Sequence, residues 1–357
     1  MKKSKIYKVG IIGCGGIARA CHAPFYVKDP RVKVVAVCDL LADRADKFRQ
    51  DFCPEAKVFT DYKKLLDMKE IDCIDICLPN YLHSPVAVAA FKKGKHVFCE
   101  KPDAVSPKLA QAMKDAADKA GKTLMVMRNN RFSDPSAFAK KFIAEGKMGD
   151  IYAGRACWQR RRGIPGKGGW FTTKEQSGGG PLIDLGVHMI DLAIWLMGNP
   201  RPVAVTGATY CKFANNEVSD SINSNFGDAK ADGIFDVEDL AMGMIRFDNG
   251  AVLQIEFSWA SNIKAEHRFV ELRGTKAGLK WLDGNSLEIY GEENGGLTDT
   301  ALTAPLVDNG HARNLSHFYD VLDGKAKPCF VPQQGIDMIK ILDAVYKSSQ
   351  TGKEVLL

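Results

Sequence analysis

The sequence lacks long apolar runs, paired cysteine motifs and a strong excess of either charge. No run of about 18 or more apolar residues occurs, so no membrane-spanning helix is predicted. The ten cysteines include no C-x-x-C pair, and no His/Cys spacing indicates a metal site. Cysteines without such spacing are typical of buried thiols in a reducing compartment, so we expect a cytoplasmic protein without disulfides. No apolar segment with a cleavage site opens the chain, and no signal peptide is predicted.

The charge is modest and diffuse. It is +6, from 49 basic against 43 acidic residues. No basic helix interleaved with aromatic residues appears, so we expect no nucleic-acid partner and no membrane partner. The 357 residues, of which 45% are hydrophobic, predict a globular chain of about two domains.

Two different secondary-structure patterns divide the chain near residue 128. The first third alternates short, continuously apolar strands with helical segments, which predicts an α/β fold with a doubly wound parallel sheet of the Rossmann type. Later strands alternate in polarity and predict an α+β domain with a large, mostly antiparallel open sheet. We therefore predict a first domain at 1–128 and a second domain at 129–357. The polar stretch 212–236 is predicted to be a long loop.

A glycine-rich turn follows the first predicted strand. It reads Gly13-Cys14-Gly15-Gly16-Ile17-Ala18, a G-x-G-x-x-A pattern that permits a tight turn, close approach to a pyrophosphate and close helix packing. The pyrophosphate would lie at the N-terminus of the next helix. Asp39 ends the second predicted strand, where an acid hydrogen-bonds the adenosine ribose. This carboxylate favours NAD, whereas Arg44 nearby would suit the 2′-phosphate of NADP, which is the alternative.

Two further strand ends carry polar residues at the edge where parallel sheets bind ligands. Pro79 and Asn80, with His83 close behind, follow one strand, and Glu100-Lys101-Pro102 follows the next. The plain interpretation is a helix-capping turn and a surface ion pair. Alternatively, Lys101 approaches both a substrate hydroxyl and the cofactor ring.

The segment 181–198 predicts a helix that is apolar nearly all round and therefore mostly buried. Asp184 and His188 are four residues apart and share one face of it. Because burying an unpaired acid or histidine is costly, the two are either paired with each other as a structural hydrogen bond or face a cavity.

Taken in order, these motifs resemble the Gfo/Idh/MocA family, which includes glucose–fructose oxidoreductase and inositol dehydrogenase. The resemblance rests on residues 9–18, on 78–83, on 94–102 with its Glu-Lys-Pro signature, and on 178–188. It implies an NAD(P)-dependent oxidoreductase that transfers hydride between a nicotinamide and a secondary alcohol of a sugar, polyol or glycoside. It also implies a homodimer or homotetramer, with the exposed face of the antiparallel sheet as the subunit interface.

The resemblance assigns three catalytic residues: Lys101, Asp184 and His188. The predicted cofactor contacts are Gly13, Gly15, Gly16, Ile17, Ala18, Asp39, Arg44, Pro79, Asn80, His83, Glu100 and Lys101. The predicted substrate contacts, besides the catalytic set, are Asn129, Asn130, Arg160, Arg162 and Trp170. For the two arginines, strand alternation predicts that both side chains lie on the same side of the strand.

The stretch 160–165 before Trp170 is similar to that of a bacterial subgroup that oxidises glycosides at ring C3, which is the more specific expectation. Two alternatives are a glycoside hydrolase that uses NAD for transient oxidation, and a non-enzymatic regulator that senses nucleotides. The presence of Lys101, Asp184 and His188 together argues against the regulator.

Overall fold

The computed structural model describes residues 5–215, 224, 227–283, 286–302 and 310–357. The chain forms two compact units, one of Met1–Met127 with His311–Ile336 and the other of Arg128–Gly310 with Asp337–Leu357. This division differs from the predicted domains 1–128 and 129–357 because a late segment returns to the first unit. It does so because Leu315, Phe318 and Tyr319 are fully buried in the apolar core of that unit.

The first unit is built on a six-stranded parallel sheet in the order β3-β2-β1-β4-β5-β6. Its strands are β1 (Tyr7–Ile12), β2 (Val32–Cys38), β3 (Lys57–Phe59), β4 (Cys73–Ile76), β5 (His96–Cys99) and β6 (Leu124–Val126). Its helices are α1 (Ala23–Lys28), α2 (Ala42–Phe52), α3 (Tyr62–Leu66), α4 (His83–Lys92) and α5 (Pro107–Ala120). A π-helical turn, Ala18–His22, precedes α1. The sequence patterns missed β3, which is too short to show a period.

The second unit carries a nine-stranded sheet in the order β14-β13-β12-β11-β7-β10-β9-β8-β15. Its helices are α6 (Asp134–Ala144), α7 (Lys174–Ser177) and α8 (Val187–Leu196). Its strands are β7 (Ile151–Gln159), β8 (Pro202–Tyr210), β9 (Leu240–Phe247), β10 (Val252–Ser258), β11 (His267–Gly274), β12 (Gly278–Leu282), β13 (Ser286–Glu293), β14 (Gly296–Leu302) and β15 (Val355–Leu356). β7 and β10 are parallel and the other pairs are antiparallel. The predicted fold class is confirmed.

Two predicted segments of the second unit differ in detail. The single strand expected at 278–289 is the pair β12 and β13, and residues 284–285 lie outside the described part of the chain. Of the predicted loop 212–236, residues 216–223 and 225–226 also lie outside it, and its described residues contain no strand.

Two further helices precede β15: α9 (Gly310–Leu322) and α10 (Pro332–Thr351). Among the described residues, the stretch Lys174–Leu196 is long and apolar enough to cross a membrane. However, 78% of its most apolar window is buried inside the protein, which is typical of a core helix.

Candidate active site

The glycine turn lies at the carboxyl end of β1 and is held against the ends of β2 and β4. The Gly13 N–H donates to the Cys38 carbonyl at 2.8 Å, and Gly13 has a φ of +98°. A Cβ at Gly13 would lie 2.2 Å from the Cys77 carbonyl oxygen, so only glycine fits. A Cβ at Gly15 would meet no atom within 4 Å. The turn is therefore tight at its first glycine and open at its second, which fits a dinucleotide pyrophosphate beside Gly15.

Asp39 stands at the end of β2, with its carboxylate turned back towards the glycine turn. Its two oxygens accept hydrogen bonds from the Cys14 N–H at 2.9 Å and the Leu41 N–H at 3.0 Å. A carboxylate has about four acceptor positions, so about two are left for ribose hydroxyls. The neighbouring Leu40 side chain is 86% exposed, an apolar surface that suits an adenine ring. The residues present therefore fit the adenosine half of NAD, with Arg44 in the first turn of α2.

His83 begins α4 and joins two loops at the binding edge of the sheet. Its side chain is 0% exposed, with Nδ1 2.7 Å from the Pro102 carbonyl and Nε2 2.8 Å from the Leu78 carbonyl. Both ring nitrogens therefore lie within hydrogen-bond distance of main-chain oxygens. These contacts fix the position of the ring, and the predicted cofactor contact of His83 stays a prediction. The contacts predicted for Gly16, Ile17, Ala18, Arg44, Pro79 and Asn80 stay predictions.

The segment Glu100-Lys101-Pro102 follows β5 and is anchored by the buried Glu100. One carboxylate oxygen accepts from the Lys101 N–H at 3.1 Å, and the other lies 2.8 Å from His22 Nε2. The opposite nitrogen of His22 lies 2.8 Å from Asp75 Oδ2. The Lys101–Pro102 peptide is cis. The predicted catalytic lysine thus sits on a main chain fixed by a buried carboxylate and a buried imidazole.

The surroundings of Glu100 and His22 favour the charged form of each side chain. Burial raises the pKa of Glu100, but the hydrogen bond and charge of His22 outweigh it and bring this pKa down to about 2. Burial lowers the pKa of His22, but the charge of Asp75 outweighs it and raises the pKa well above its usual value. His22, Asp75 and Cys77 also lie close enough to hold a metal ion, but they are already hydrogen-bonded to one another.

Sequence reasoning did not single out His22 or Asp75 as site residues. The available signal was Asp75 itself, because a charged residue in the middle of an apolar parallel strand is rarely buried without a partner. The partner is not visible in the sequence, since His22 is brought to Asp75 only by the packing of the helix on the sheet.

In the second unit, Asp184 and His188 lie on the predicted buried helix, which is π-helical over Leu182–Gly186 and continues as α8. Asp184 Oδ2 accepts a hydrogen bond from Trp259 Nε1 at 3.0 Å. The His188 ring lies 5.9 Å from the Trp158 ring, centroid to centroid. Each side chain therefore stands against an indole, which limits its rotation.

The entry to this helix is fixed by Glu238. Its carboxylate accepts from the Gly180 N–H at 3.0 Å, the Leu182 N–H at 3.1 Å and the Tyr346 hydroxyl at 3.0 Å. A Cβ at Gly180 would lie 1.9 Å from the Glu238 carbonyl oxygen, so the glycine allows this close approach. A carboxylate at a helix N-terminus also stabilises the helix dipole. This carboxylate therefore sets the position of the turn that carries Asp184.

Asp191, one turn after His188, is a structural acid. Its carboxylate accepts hydrogen bonds from Arg128 Nε at 2.8 Å and from Arg131 Nε and Nη2 at 2.8 and 2.6 Å. All three side chains are buried. This ion pair ties the start of the second unit to α8.

The two candidate arginines contact different groups, and the strand alternation that predicted a shared side does not reach them. β7 ends at Gln159, so strand alternation does not extend to Arg160 and Arg162. Arg162 donates to the Ser261 carbonyl at 3.0 Å and to Asn262 Oδ1 at 2.9 Å. Arg162 therefore holds the loop that contains Ser261 and Asn262.

Arg160 remains the better candidate for a substrate contact. Its guanidinium carbon lies 5.3 Å from the Trp158 ring centroid, and its Nη1 donates to the Gly163 carbonyl at 3.2 Å. Burial lowers the pKa of Arg160, while the charges of Asp184 and Glu266 act in the opposite direction. Arg160 therefore brings a positive charge to the same surroundings as Asp184.

Arg268 also lies over the Trp158 ring and is hydrogen-bonded to Asn130. Asn130 Oδ1 accepts from Arg268 Nη2 and from Asn129 Nδ2, both at 3.3 Å. Within the described residues, Asn130 Nδ2 and Asn129 Oδ1 are buried without a hydrogen-bond partner. The Arg268 guanidinium carbon is 4.1 Å from the Trp158 ring centroid. Sequence reasoning missed Arg268, because nothing in strand β11 marks it.

Trp170, predicted to stack on a sugar, is half-buried and stacks on Phe171, with the ring centroids 3.7 Å apart. Its contact with substrate stays a prediction.

Comparison with known proteins agrees with this architecture. The family profile described as "Oxidoreductase family, NAD-binding Rossmann fold" matches residues 7–128, and the "GFO/IDH/MocA C-terminal domain" profile matches residues 137–280. The chain is 33% identical to the D-glucoside 3-dehydrogenase of Escherichia coli (strain K12), over 98% of this chain and 97% of that protein. It is 31% identical to the levoglucosan dehydrogenase of Pseudarthrobacter phenanthrenivorans, over 76% of this chain and 72% of that one.

Among solved structures, a levoglucosan dehydrogenase in complex with NADH and levoglucosan has the same fold. The TM-score is 0.87 at 23% identity, and the match covers 99% of both chains. The two family profiles, the full-length relative and the shared fold agree with the sequence motifs. The chain therefore belongs to the Gfo/Idh/MocA family of NAD-binding oxidoreductases.

Proposed function

We propose that this protein is an NAD(P)-dependent dehydrogenase that oxidises a secondary alcohol of a sugar, polyol or glycoside, with C3 of a glycoside as the favoured position. The observation that carries the proposal is the match to a D-glucoside 3-dehydrogenase over 98% of the chain. That match spans the unit that holds the glycine turn and Lys101, and the unit that holds Asp184 and His188.

NAD is the preferred cofactor in this proposal. The open space at Gly15 suits the pyrophosphate, and the remaining acceptor positions of Asp39 suit the ribose hydroxyls. A carboxylate there would repel the 2′-phosphate of NADP. When bound, the nicotinamide would accept the hydride, which is the hydrogen with its bonding electron pair, from the carbinol carbon.

The chain's own residues handle the proton. His188 acts as the general base that takes the hydroxyl proton, a task that suits an imidazole near neutral pH. The Lys101 ammonium donates a hydrogen bond to the same oxygen and stabilises its developing negative charge. Asp184, fixed by Trp259, orients His188 or binds a neighbouring hydroxyl. In the reverse direction, the same groups return the proton to the oxygen of a ketone.

The sugar is proposed to bind to the polar side chains around Trp158. The guanidinium groups of Arg160 and Arg268 both lie near its indole ring. The unpartnered Asn130 amide nitrogen is a buried donor, and such a donor costs free energy unless a ligand satisfies it. Hydroxyl oxygens of a sugar would accept from this amide and from Arg160.

The proposed assembly is a homodimer or homotetramer formed through the exposed face of the nine-stranded sheet. This face carries a shallow concavity of about 400 Å³, lined by β7–β10. The residues that line it include Thr206, Met242 and Met244, and Met242 is exposed. An exposed methionine on an open sheet face is more typical of a subunit interface than of free surface.

A substrate panel tests the function. Purified protein is incubated with glucosides, free sugars and inositols, with NAD or NADP, and the absorbance of the reduced nicotinamide is followed. The expected result is NAD reduction with a glucoside and formation of a 3-keto product, identified by mass spectrometry. Release of free sugar without net NADH would instead indicate the hydrolase alternative. No turnover with any carbohydrate would overturn the proposal.

A further inference from the structure

We propose that His22 is a positioning residue for Lys101, acting as a positively charged clamp between two buried carboxylates. The inference rests on the proposed function only in taking Lys101 as the catalytic lysine. The clamp itself consists of His22, Asp75 and Glu100, all of which lie in the first unit.

The geometry is a continuous chain of hydrogen bonds. Asp75 Oδ2 lies 2.8 Å from His22 Nδ1, and His22 Nε2 lies 2.8 Å from Glu100 Oε1. Glu100 Oε2 in turn accepts from the Lys101 N–H at 3.1 Å. A neutral imidazole has a single N–H, so it can donate to only one of the two carboxylates. The protonated ring donates to both, so a clamp of two ionised carboxylates requires a positive charge on His22.

The environment makes this charge necessary. His22 is fully buried, and Asp75 and Glu100 are 1% and 5% exposed. Two buried carboxylates close together cannot both ionise without a nearby cation, because desolvation and repulsion favour the neutral acid. Without the imidazolium, burial would favour the neutral form of Glu100 or displace its side chain. Either change would loosen the hydrogen bond that holds the main chain of Lys101.

His22 also connects this anchor to the cofactor side of the unit. It closes the π-helical turn Ala18–His22, which comes directly after the glycine turn. Such turns are frequent at functional sites, since the extra residue redirects a side chain. The helix that begins at the pyrophosphate position is thereby linked through His22 and Glu100 to the segment that carries Lys101.

Other titratable groups face the clamp. Cys77 Sγ lies 3.5 Å from His22 Nδ1. The charges of Lys101 and of His311, from α9, act on Glu100 and stabilise its ionised form. Burial raises the pKa of the Cys77 thiol to about 12, so near neutral pH the thiol adds no charge.

The test compares His22→Gln with His96→Gln in the full-length protein. His96 is the matched control, because it is a half-buried histidine at the opposite end of β5. We expect His22→Gln to lower kcat about 10- to 100-fold, with KM and the NADH dissociation constant changed less than about threefold. His96→Gln should leave all three unchanged. An equal loss in both variants, or a parallel loss of NADH binding, would overturn the proposal.

A second measurement does not depend on turnover. The rate at which an amine-selective reagent acylates Lys101 is followed by peptide mass spectrometry. His22→Gln should change this rate at least about threefold, and His96→Gln should not. Glu100→Gln should act like His22→Gln and serves as the second variant if His22→Gln does not fold. Unchanged Lys101 reactivity in both clamp variants would refute the positioning role. A changed reactivity in a protein that turns over no carbohydrate would refute the proposed function instead.

Discussion

Two alanine substitutions in the glycine turn are expected to separate folding from cofactor binding. At Gly13 the backbone φ is +98° and a Cβ would lie 2.2 Å from the Cys77 carbonyl oxygen. At Gly15 a Cβ would meet no atom within 4 Å. Gly13→Ala should therefore destabilise the folded protein. Gly15→Ala should leave folding unchanged and fill the space that the pyrophosphate occupies.

The magnitudes follow from these contacts. A non-glycine residue at positive φ costs about 1–2 kcal/mol, and forcing a methyl group into a packed backbone costs about 1–3 kcal/mol more. Gly13→Ala should therefore lower the free energy of unfolding by about 2–5 kcal/mol. Gly15→Ala should change it by less than about 0.5 kcal/mol. Loss of one charge-assisted hydrogen bond to the pyrophosphate, about 1.5–3 kcal/mol, should weaken NADH binding about 10- to 100-fold.

The assay is thermal unfolding of both variants without cofactor, followed by NADH titration by fluorescence. Gly13→Ala should lower the unfolding midpoint by about 5–15 °C. If Gly13→Ala unfolds at the wild-type temperature, the steric account of the turn is wrong. If Gly15→Ala binds NADH with wild-type affinity, the pyrophosphate does not lie at this turn.

Four further outcomes are expected. Lys101→Ala and His188→Ala should each lower kcat at least about 100-fold while NADH binding persists, and near-wild-type turnover in either would contradict its catalytic role. Asp39→Ala should weaken NAD binding more than NADP binding, measured by parallel titrations, since the carboxylate favours the free ribose. Burial lowers the pKa of His96 to about 4 from its usual 6.5, so the unfolded chain binds more protons between these values. The free energy of unfolding should therefore fall as the pH drops from about 6.5 to 4, and His96→Gln should flatten that slope. Met242→Arg should convert the proposed oligomer to monomers in light scattering after gel filtration, and an unchanged mass would exclude the exposed sheet face as the interface.

The first unit shows what local pattern can predict. Continuous apolar strands alternating with helices predicted the parallel sheet, and the glycine turn with Asp39 predicted the dinucleotide site at its edge. Both depend on neighbours in sequence, because a strand, a turn and a helix start are encoded within a few residues. The short strand Lys57–Phe59 was missed because three residues show no period.

In the second unit, the pattern identified the helix that carries Asp184 and His188 but not the residues packed around it. Trp259 directly follows β10 in the chain, and Arg268 lies in β11. Strand alternation also placed Arg160 and Arg162 on one side, although β7 ends before them. Where a strand ends depends on its sheet partners, which the local sequence does not contain.

The amino-acid sequence alone determined the family, the two-part α/β and α+β organisation and the identity of the three candidate catalytic residues, since each is carried by a short ordered motif. Only the tertiary structure decided which buried groups pack around the segments that carry these candidate residues. It pairs His22 with Asp75 and Glu100, turns His83 to main-chain oxygens and returns α9 to the first unit. The physical reason is that a buried charge selects its partner by distance in space, and residues far apart in the chain become neighbours only when the sheet and its helices have packed.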